Sequence, residues 1–198
     1  MRMWSVTKYK LRLSFNVPNI LSFFRLSLTP FFVVALTEGN YLVGLIVFAI
    51  AGLTDTLDGM AARIWGMKTR LGKFLDPMAD KILLTASFLT LTIHLPNAEY
   101  TIPIWLTILV ISRDVSIVMV ALIIHVVTGR KNFDPTIWGK ISTTLQAITV
   151  FTVLLAHVVK QAAILLDPLF GLTLAITLIS GFHYLFSTVH ALNQEETE

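Results

Sequence analysis

The sequence predicts an all-α integral membrane protein of six transmembrane helices, preceded by an N-terminal amphipathic juxtamembrane segment. Three observations carry this. Apolar residues fill 55% of the 198 positions and charged residues only 14%, with a mean hydropathy of +0.76, whereas a soluble domain carries charge at about a quarter of its positions. The apolar residues gather into six stretches, each near the roughly 20 residues that cross a bilayer. Ten basic residues fall on one side of those stretches and only Lys160 near the other. Disorder is excluded by so much apolar material. With no cysteine there are no disulfides, thiolate ligands or cysteine nucleophiles.

Residues 1–16 interleave Arg2, Lys8, Lys10 and Arg12 with Met3, Trp4, Val6, Tyr9, Leu11, Leu13 and Phe15. That pattern predicts a basic segment lying at an anionic surface. Residues 17–192 form one domain, whose spans are expected at about 18–37, 41–64, 76–95, 102–128, 141–160 and 165–190. Gly39-Asn40, Pro96-Asn97, Thr128-Gly129 and Asp167-Pro168 punctuate them. Residues 193–198 form a solvated acidic tail with Glu195, Glu196 and Glu198. Arg2, Lys8, Lys10, Arg12, Lys68, Arg70, Lys73, Arg130, Lys131 and Lys140 place both termini and the second and fourth connections in the cytoplasm.

Nine charges lie within or at the ends of the apolar stretches: Arg25, Asp55, Asp58, Arg63, Asp76, Asp80, Lys81, Arg113 and Asp114. Each costs about 2.5–3.5 kcal/mol near the bilayer centre and less at an interface. Such a cluster must face the bundle interior and be neutralised there. Asp55 and Asp58 stand three apart and Asp76 and Asp80 four apart, so each pair shares a helix face. The short connection between the two helices brings both pairs to one membrane depth. Hard carboxylate oxygens suit Mg2+ or Mn2+, ions that keep positions open for substrate phosphate. Asp76 precedes Pro77, a pairing expected in a first helical turn. The residues alone favour metal-dependent chemistry on a diphosphate or phosphodiester at the cytoplasmic face. An acidic pathway in an ion-coupled transporter is the second reading, and an intramembrane prenyltransferase a remoter one.

The acidic segment fits D-x2-D-G-x2-A-R-x8-G-x3-D-x3-D through Asp55, Asp58, Gly59, Ala62, Arg63, Gly72, Asp76 and Asp80. In this it resembles the CDP-alcohol phosphatidyltransferases. Pro18-Asn19-Ile20-Leu21-Ser22 with Arg25, Ser112-Arg113-Asp114 and Gly139-Lys140 extend the likeness along most of the chain. The resemblance implies six membrane helices around a cytoplasm-facing cavity with two divalent ions, Mg2+ or Mn2+, in the cell (inner) membrane. It implies transfer of a phosphatidyl group from CDP-diacylglycerol to an alcohol, with release of CMP. Asp55 and Asp76 would bridge both ions, Asp58 would hold the first, and Asp80 the second. Asp80 would also be the base that deprotonates the acceptor hydroxyl. Gly59 would let the backbone approach the nucleotide. Arg63, Thr69 and the segment Asn19, Ile20, Leu21 and Ser22 would hold the CDP-lipid.

Arg113 and Lys140 are expected to bind a phosphate on the acceptor, Arg113 as a bidentate fork. Pairing of Arg113 with Asp114 is not expected, because adjacent helical residues do not face each other. A phosphate-bearing acceptor favours glycerol 3-phosphate, giving phosphatidylglycerophosphate. One departure matters: enzymes of that kind usually carry Arg-Glu where this chain has Arg113-Asp114. The run Ser112-Arg113-Asp114-Val115 resembles the cardiolipin synthases that use CDP-lipids, whose acceptor is phosphatidylglycerol. Membrane lipids and a second copy of the chain are further expected partners, and nucleic acid is not. The five histidines and Trp4, Trp65, Trp105 and Trp138 read as packing and interfacial residues. Gln146, Thr143 and Thr144 are expected to hydrogen-bond between helices.

Overall fold

A computed structural model describes residues 17–64, 72–93, 95, 97–128 and 137–195. Within these, side chains at 17–21, 56–64, 72–77, 121, 124–128, 185 and 187–195 are outside the description. Among the described residues the fold is wholly helical, with α1 (Val17–Thr37), α2 (Tyr41–Ile64), α3 (Gly72–Thr92), α4 (Ile104–Thr128), α5 (Ile137–Val158) and α6 (Leu166–Glu195). A 3-10 turn, Lys160–Leu165, joins α5 to α6. Each helix lies on one of the six apolar stretches expected from the sequence. The basic segment 1–16 lies outside the described residues.

Three boundaries differ from expectation. Helix α3 begins at Gly72, so Asp76 and Pro77 fall in its second turn rather than its first. Helix α5 begins at Ile137, which puts Lys140 inside its first turn. Helix α6 continues to Glu195, into the segment read as a solvated tail. Hydropathy marks where apolar residues begin and end, but a helix continues through polar residues as long as its backbone hydrogen bonds are made.

The α1–α2 connection is tight for a local reason. Gly39 adopts φ 73°, a left-handed conformation that glycine enters without penalty. The Gly39 and Asn40 amides donate to the carbonyls of Leu36 and Ala35, closing the helix end. The Asn40 side chain then accepts from the Val43 amide and opens α2. Just beyond, α2 passes so close to α1 that a Cβ at Gly44 would lie 2.6 Å from Leu36 Cδ2.

Helix α1 packs against α2 and α3, α5 against α2, α3 and α6, and α4 against α3 and α6. The core comprises Phe32 and Leu36 of α1, Phe48 of α2, Phe88 of α3, Leu106 and Val110 of α4, and Val150, Val153 and Leu154 of α5. The outside is equally apolar, with Phe31, Leu53, Val118, Met119, Leu122, Phe182 and Phe186 exposed. Such a bundle suits hydrocarbon, where packing and polar contacts between helices replace the hydrophobic effect. Helix α5 and the stretch Lys160–Tyr184 are long and apolar enough to cross a membrane. Shorter apolar stretches, Ser22–Thr37 and Tyr41–Asp55, occupy α1 and α2.

Hydroxyls link neighbouring helices: Thr149 to Thr173 at 2.8 Å, Ser142 to Thr177 at 3.4 Å, and Thr92 to Thr107 at 2.5 Å. Gln146 donates to Ser142 within its own helix, and Thr143 to the Gly139 carbonyl, so neither bond crosses between helices as expected. The His157 ring stacks on Tyr41 with centroids 3.8 Å apart. Its Nε2 accepts from the Tyr100 amide at 3.3 Å, so Nδ1 carries the proton and donates to the Val153 carbonyl at 2.9 Å. Beside it Lys160 donates to Glu99 at 3.3 Å, and that hydrogen bond holds the Glu99 carboxyl below its ordinary value.

Candidate active site

Helix α1 lies against both α2 and α3, and its buried Arg25 reaches a carboxylate on each. Arg25 Nη1 is 3.0 Å from Asp55 Oδ1 of α2 and is also bonded to Asp80 Oδ1 of α3. The residue is 1% exposed, while the Asp55 and Asp80 side chains are 49% and 35% exposed. Two carboxylates from different helices therefore converge on one cation. Asp58 lies one helical turn beyond Asp55 along α2, and Asp76 one turn before Asp80 along α3. Both positions lie toward the connection 65–71 from the Arg25 bridge. Gly59 and Arg63 follow on α2, and Asn19, Ile20, Leu21 and Ser22 occupy the start of α1. Ser22 is buried. Thr69 lies outside the described residues.

Asp80 borders two cavities. One, of about 300 Å3, is lined by Arg25, Asp55, Asp80, Thr143 and Thr144 above the apolar wall of Phe48, Leu83 and Ala147. The other, of about 450 Å3, is lined by Asp80, Lys81, Arg113, Asp114, Lys140, Thr143, Thr144 and Tyr184. The two share Asp80, Thr143 and Thr144. The first is lined by two carboxylates and the arginine that pairs with both, and the second by three cations and two carboxylates. Arg113 and Lys140, both expected to meet an acceptor phosphate, thus line one cavity with Asp80.

The expectation for Arg113 and its neighbour is corrected. Arg113 Nη1 pairs with Asp114 Oδ1 at 2.7 Å. Their Cβ atoms diverge by the helical turn, but the long arginine stem curls back to the short carboxylate. Arg113 Nη2 donates to Ser180 Oγ of α6, and Asp114 Oδ2 pairs with Lys81 of α3. The relay from Ser180 through Arg113 and Asp114 to Lys81 ties α6, α4 and α3 around the cavity. It also holds the Arg113 guanidinium in place with a buried stem.

Sequence reasoning counted Arg25 and Lys81 in the intramembrane charge cluster without assigning either a partner or a ligand, gave no role to Ser180 or Tyr184, and left Thr143 and Thr144 out of the site. Arg25 carried a legible signal, being a lone cation in an apolar stretch. Lys81 carried one too, since it directly follows an acidic site residue. Ser180 and Tyr184 carried none, because hydroxyl residues are ordinary in membrane helices.

The family model for CDP-alcohol phosphatidyltransferase matches residues 15–182. The chain belongs to that family. This phosphatidyltransferase is 37% identical over 139 residues to a CDP-diacylglycerol–glycerol-3-phosphate 3-phosphatidyltransferase of Haemophilus influenzae, covering 69% of this chain and 74% of that protein. It is 33% identical over 171 residues to the enzyme of the same name from Aquifex aeolicus, covering 85% of this chain and 93% of the relative. A cardiolipin synthase (CMP-forming) of Rattus norvegicus is 34% identical over 197 residues, covering 89% of this chain. The phosphatidyltransferase chain spans 64% of that rat protein, less than two thirds.

Proposed function

We propose that the chain transfers a phosphatidyl group from CDP-diacylglycerol to glycerol 3-phosphate, releasing CMP in phospholipid biosynthesis. It does so as a six-span protein of the cell (inner) membrane with its site toward the cytoplasm. The observation that carries this reading is the position of Asp80, which borders both the carboxylate cavity and the cation cavity. A donor diphosphate at the first and an acceptor phosphate at the second would bring the acceptor hydroxyl and the donor phosphorus together beside Asp80.

Asp55 and Asp80 already share one cation and offer hard oxygens, so the donor set fits Mg2+ or Mn2+. Asp55, Asp58, Asp76 and Asp80 would hold two such ions, which supply neutralisation of charge on the diphosphate when bound. Asn19, Ile20, Leu21, Ser22, Gly59, Arg63 and Thr69 would hold the CDP-lipid. Arg113 and Lys140 fix the acceptor phosphate, and Asp80 takes the hydroxyl proton as the new oxygen–phosphorus bond forms. The bond between that phosphorus and the CMP oxygen breaks, and CMP leaves. The test is CMP release from CDP-diacylglycerol by purified protein with Mg2+ or Mn2+. Asp80→Asn is expected to lower it by about 10²–10⁴-fold, the usual worth of a positioned base. Undiminished release would refute the role of Asp80.

Phosphatidylglycerol is the alternative acceptor, which would make the chain a cardiolipin synthase. The Ser112-Arg113-Asp114-Val115 run and the rat relative favour it. An acceptor panel of glycerol 3-phosphate, phosphatidylglycerol, inositol phosphate and serine separates the readings by the lipid formed. Phosphatidylglycerol as sole acceptor would overturn glycerol 3-phosphate.

A further inference from the structure

A third cavity, of about 260 Å3, lies between α4 and α6 and shares only Arg113 with the transfer steps above. Its walls are mostly hydrocarbon, from Leu109 and Ile117 of α4 and Leu178 and Phe182 of α6. Its mouth lies on the apolar exterior, where Leu178 is 42% exposed and Phe182 is more so. Its inner end is different. Arg113, Ile117 and Tyr184 line this cleft and also the cation cavity that borders Asp80. Gly181 lies against the arginine stem, where a Cβ would stand 3.6 Å from Arg113 Cγ.

A water-soluble ligand gains little from such walls and would have to enter from an apolar surface. A plain hydrocarbon would offer nothing to the guanidinium at the inner end, whose Nη atoms bond Asp114 and Ser180 but whose Nε has no partner among the described residues. Arg113 is only 9% exposed. The occupant these features select has an alkyl chain behind an anionic head. We infer that the α4–α6 cleft seats one acyl chain of an anionic phosphodiester lipid of the phosphatidylglycerol class, with its phosphate at Arg113. The lipid enters sideways from the bilayer and meets glycerol 3-phosphate at the same cation. This rests on the proposed function only in taking Arg113 as the acceptor-phosphate site.

The test uses the full chain in phosphatidylcholine nanodiscs, with a phosphatidylglycerol probe that carries a diazirine midway along one acyl chain. Irradiation is expected to label α4 and α6 peptides around Ile117 and Leu178, read by mass spectrometry. Unlabelled phosphatidylglycerol and glycerol 3-phosphate should each compete with the probe, against a constant background of phosphatidylcholine. Leu178→Trp, at the exposed mouth, and Gly181→Val, at the inner end, should each reduce labelling several-fold. Equal labelling by a phosphatidylcholine probe, labels spread over all six helices, or labelling unchanged in both variants overturns the inference. CMP release with glycerol 3-phosphate, measured in the same preparation, reports the transfer reading separately. Its absence with cleft labelling intact sinks that reading and leaves the lipid site standing.

Discussion

Arg25 holds two carboxylates that would otherwise repel, and its removal leaves Asp55 and Asp80 facing each other without their shared cation. Losing charge-assisted hydrogen bonds of this kind costs about 1–3 kcal/mol, moderated here because both carboxylates are partly exposed. The variant Arg25→Gln should therefore unfold at a lower temperature than wild type in chelator. It should also gain more from added Mg2+, because the ion takes over the neutralisation that arginine provides. Thermal midpoints of both proteins with and without Mg2+ check this, and equal gains would show that the proposed ions and Arg25 do not share the carboxylates. At this scale the sequence was informative about residue types and silent about partners. The spacing of Asp55, Asp58, Asp76 and Asp80 announced an acidic site, but nothing local told Arg25 that its partners lay on two other helices. The rule that adjacent helical residues point apart failed for Arg113 and Asp114 because it concerns Cβ directions and ignores a flexible stem.

The helices themselves were the most legible feature, because each apolar stretch had to satisfy its own backbone. Their ends were less so, as Gly72 and Ile137 show: Lys73 and Asp76 in one helix and Gly139-Lys140 in the other interrupt the apolar run just inside the start. The close passage of α1 and α2 was not legible either, since Gly44 looks like any glycine in an apolar helix. Gly44→Ala puts a methyl 2.6 Å from the fully buried Leu36. Overpacking of this kind costs about 1–3 kcal/mol. A lowered thermal midpoint, partly recovered by adding Leu36→Ala, is the expected result. An unchanged midpoint in the single variant would mean that the two helices separate without cost.

Across the whole molecule, the charge pattern and the apolar exterior point to one orientation. The proposed topology puts Lys140 on the cytoplasmic side and Glu99 on the other. Because the chain has no cysteine, Lys140→Cys and Glu99→Cys each introduce a single reactive thiol. A membrane-impermeant maleimide added to sealed vesicles should label one and spare the other, and inverted vesicles should reverse the result. Labelling of both from one side would refute the topology. The lipid-facing surface was legible as composition, but its cleft was not, because a cavity between α4 and α6 depends on how two helices separated by a third pack together.

The Gly39 turn has a consequence of a geometric kind. Arg25 lies 14 residues before it and Asp55 lies 16 after it. At a rise of 1.5 Å per residue these are about 21 and 24 Å along the two helices. The turn is thus the zero mark of a ruler, and the bridge is read off at nearly equal height on both arms. One alanine inserted between Gly44 and Asp55 would advance the second arm by a single notch and rotate Asp55 by about 100°. CMP release should then be abolished. The same insertion between Asn97 and Glu99, off the ruler, should leave it largely intact.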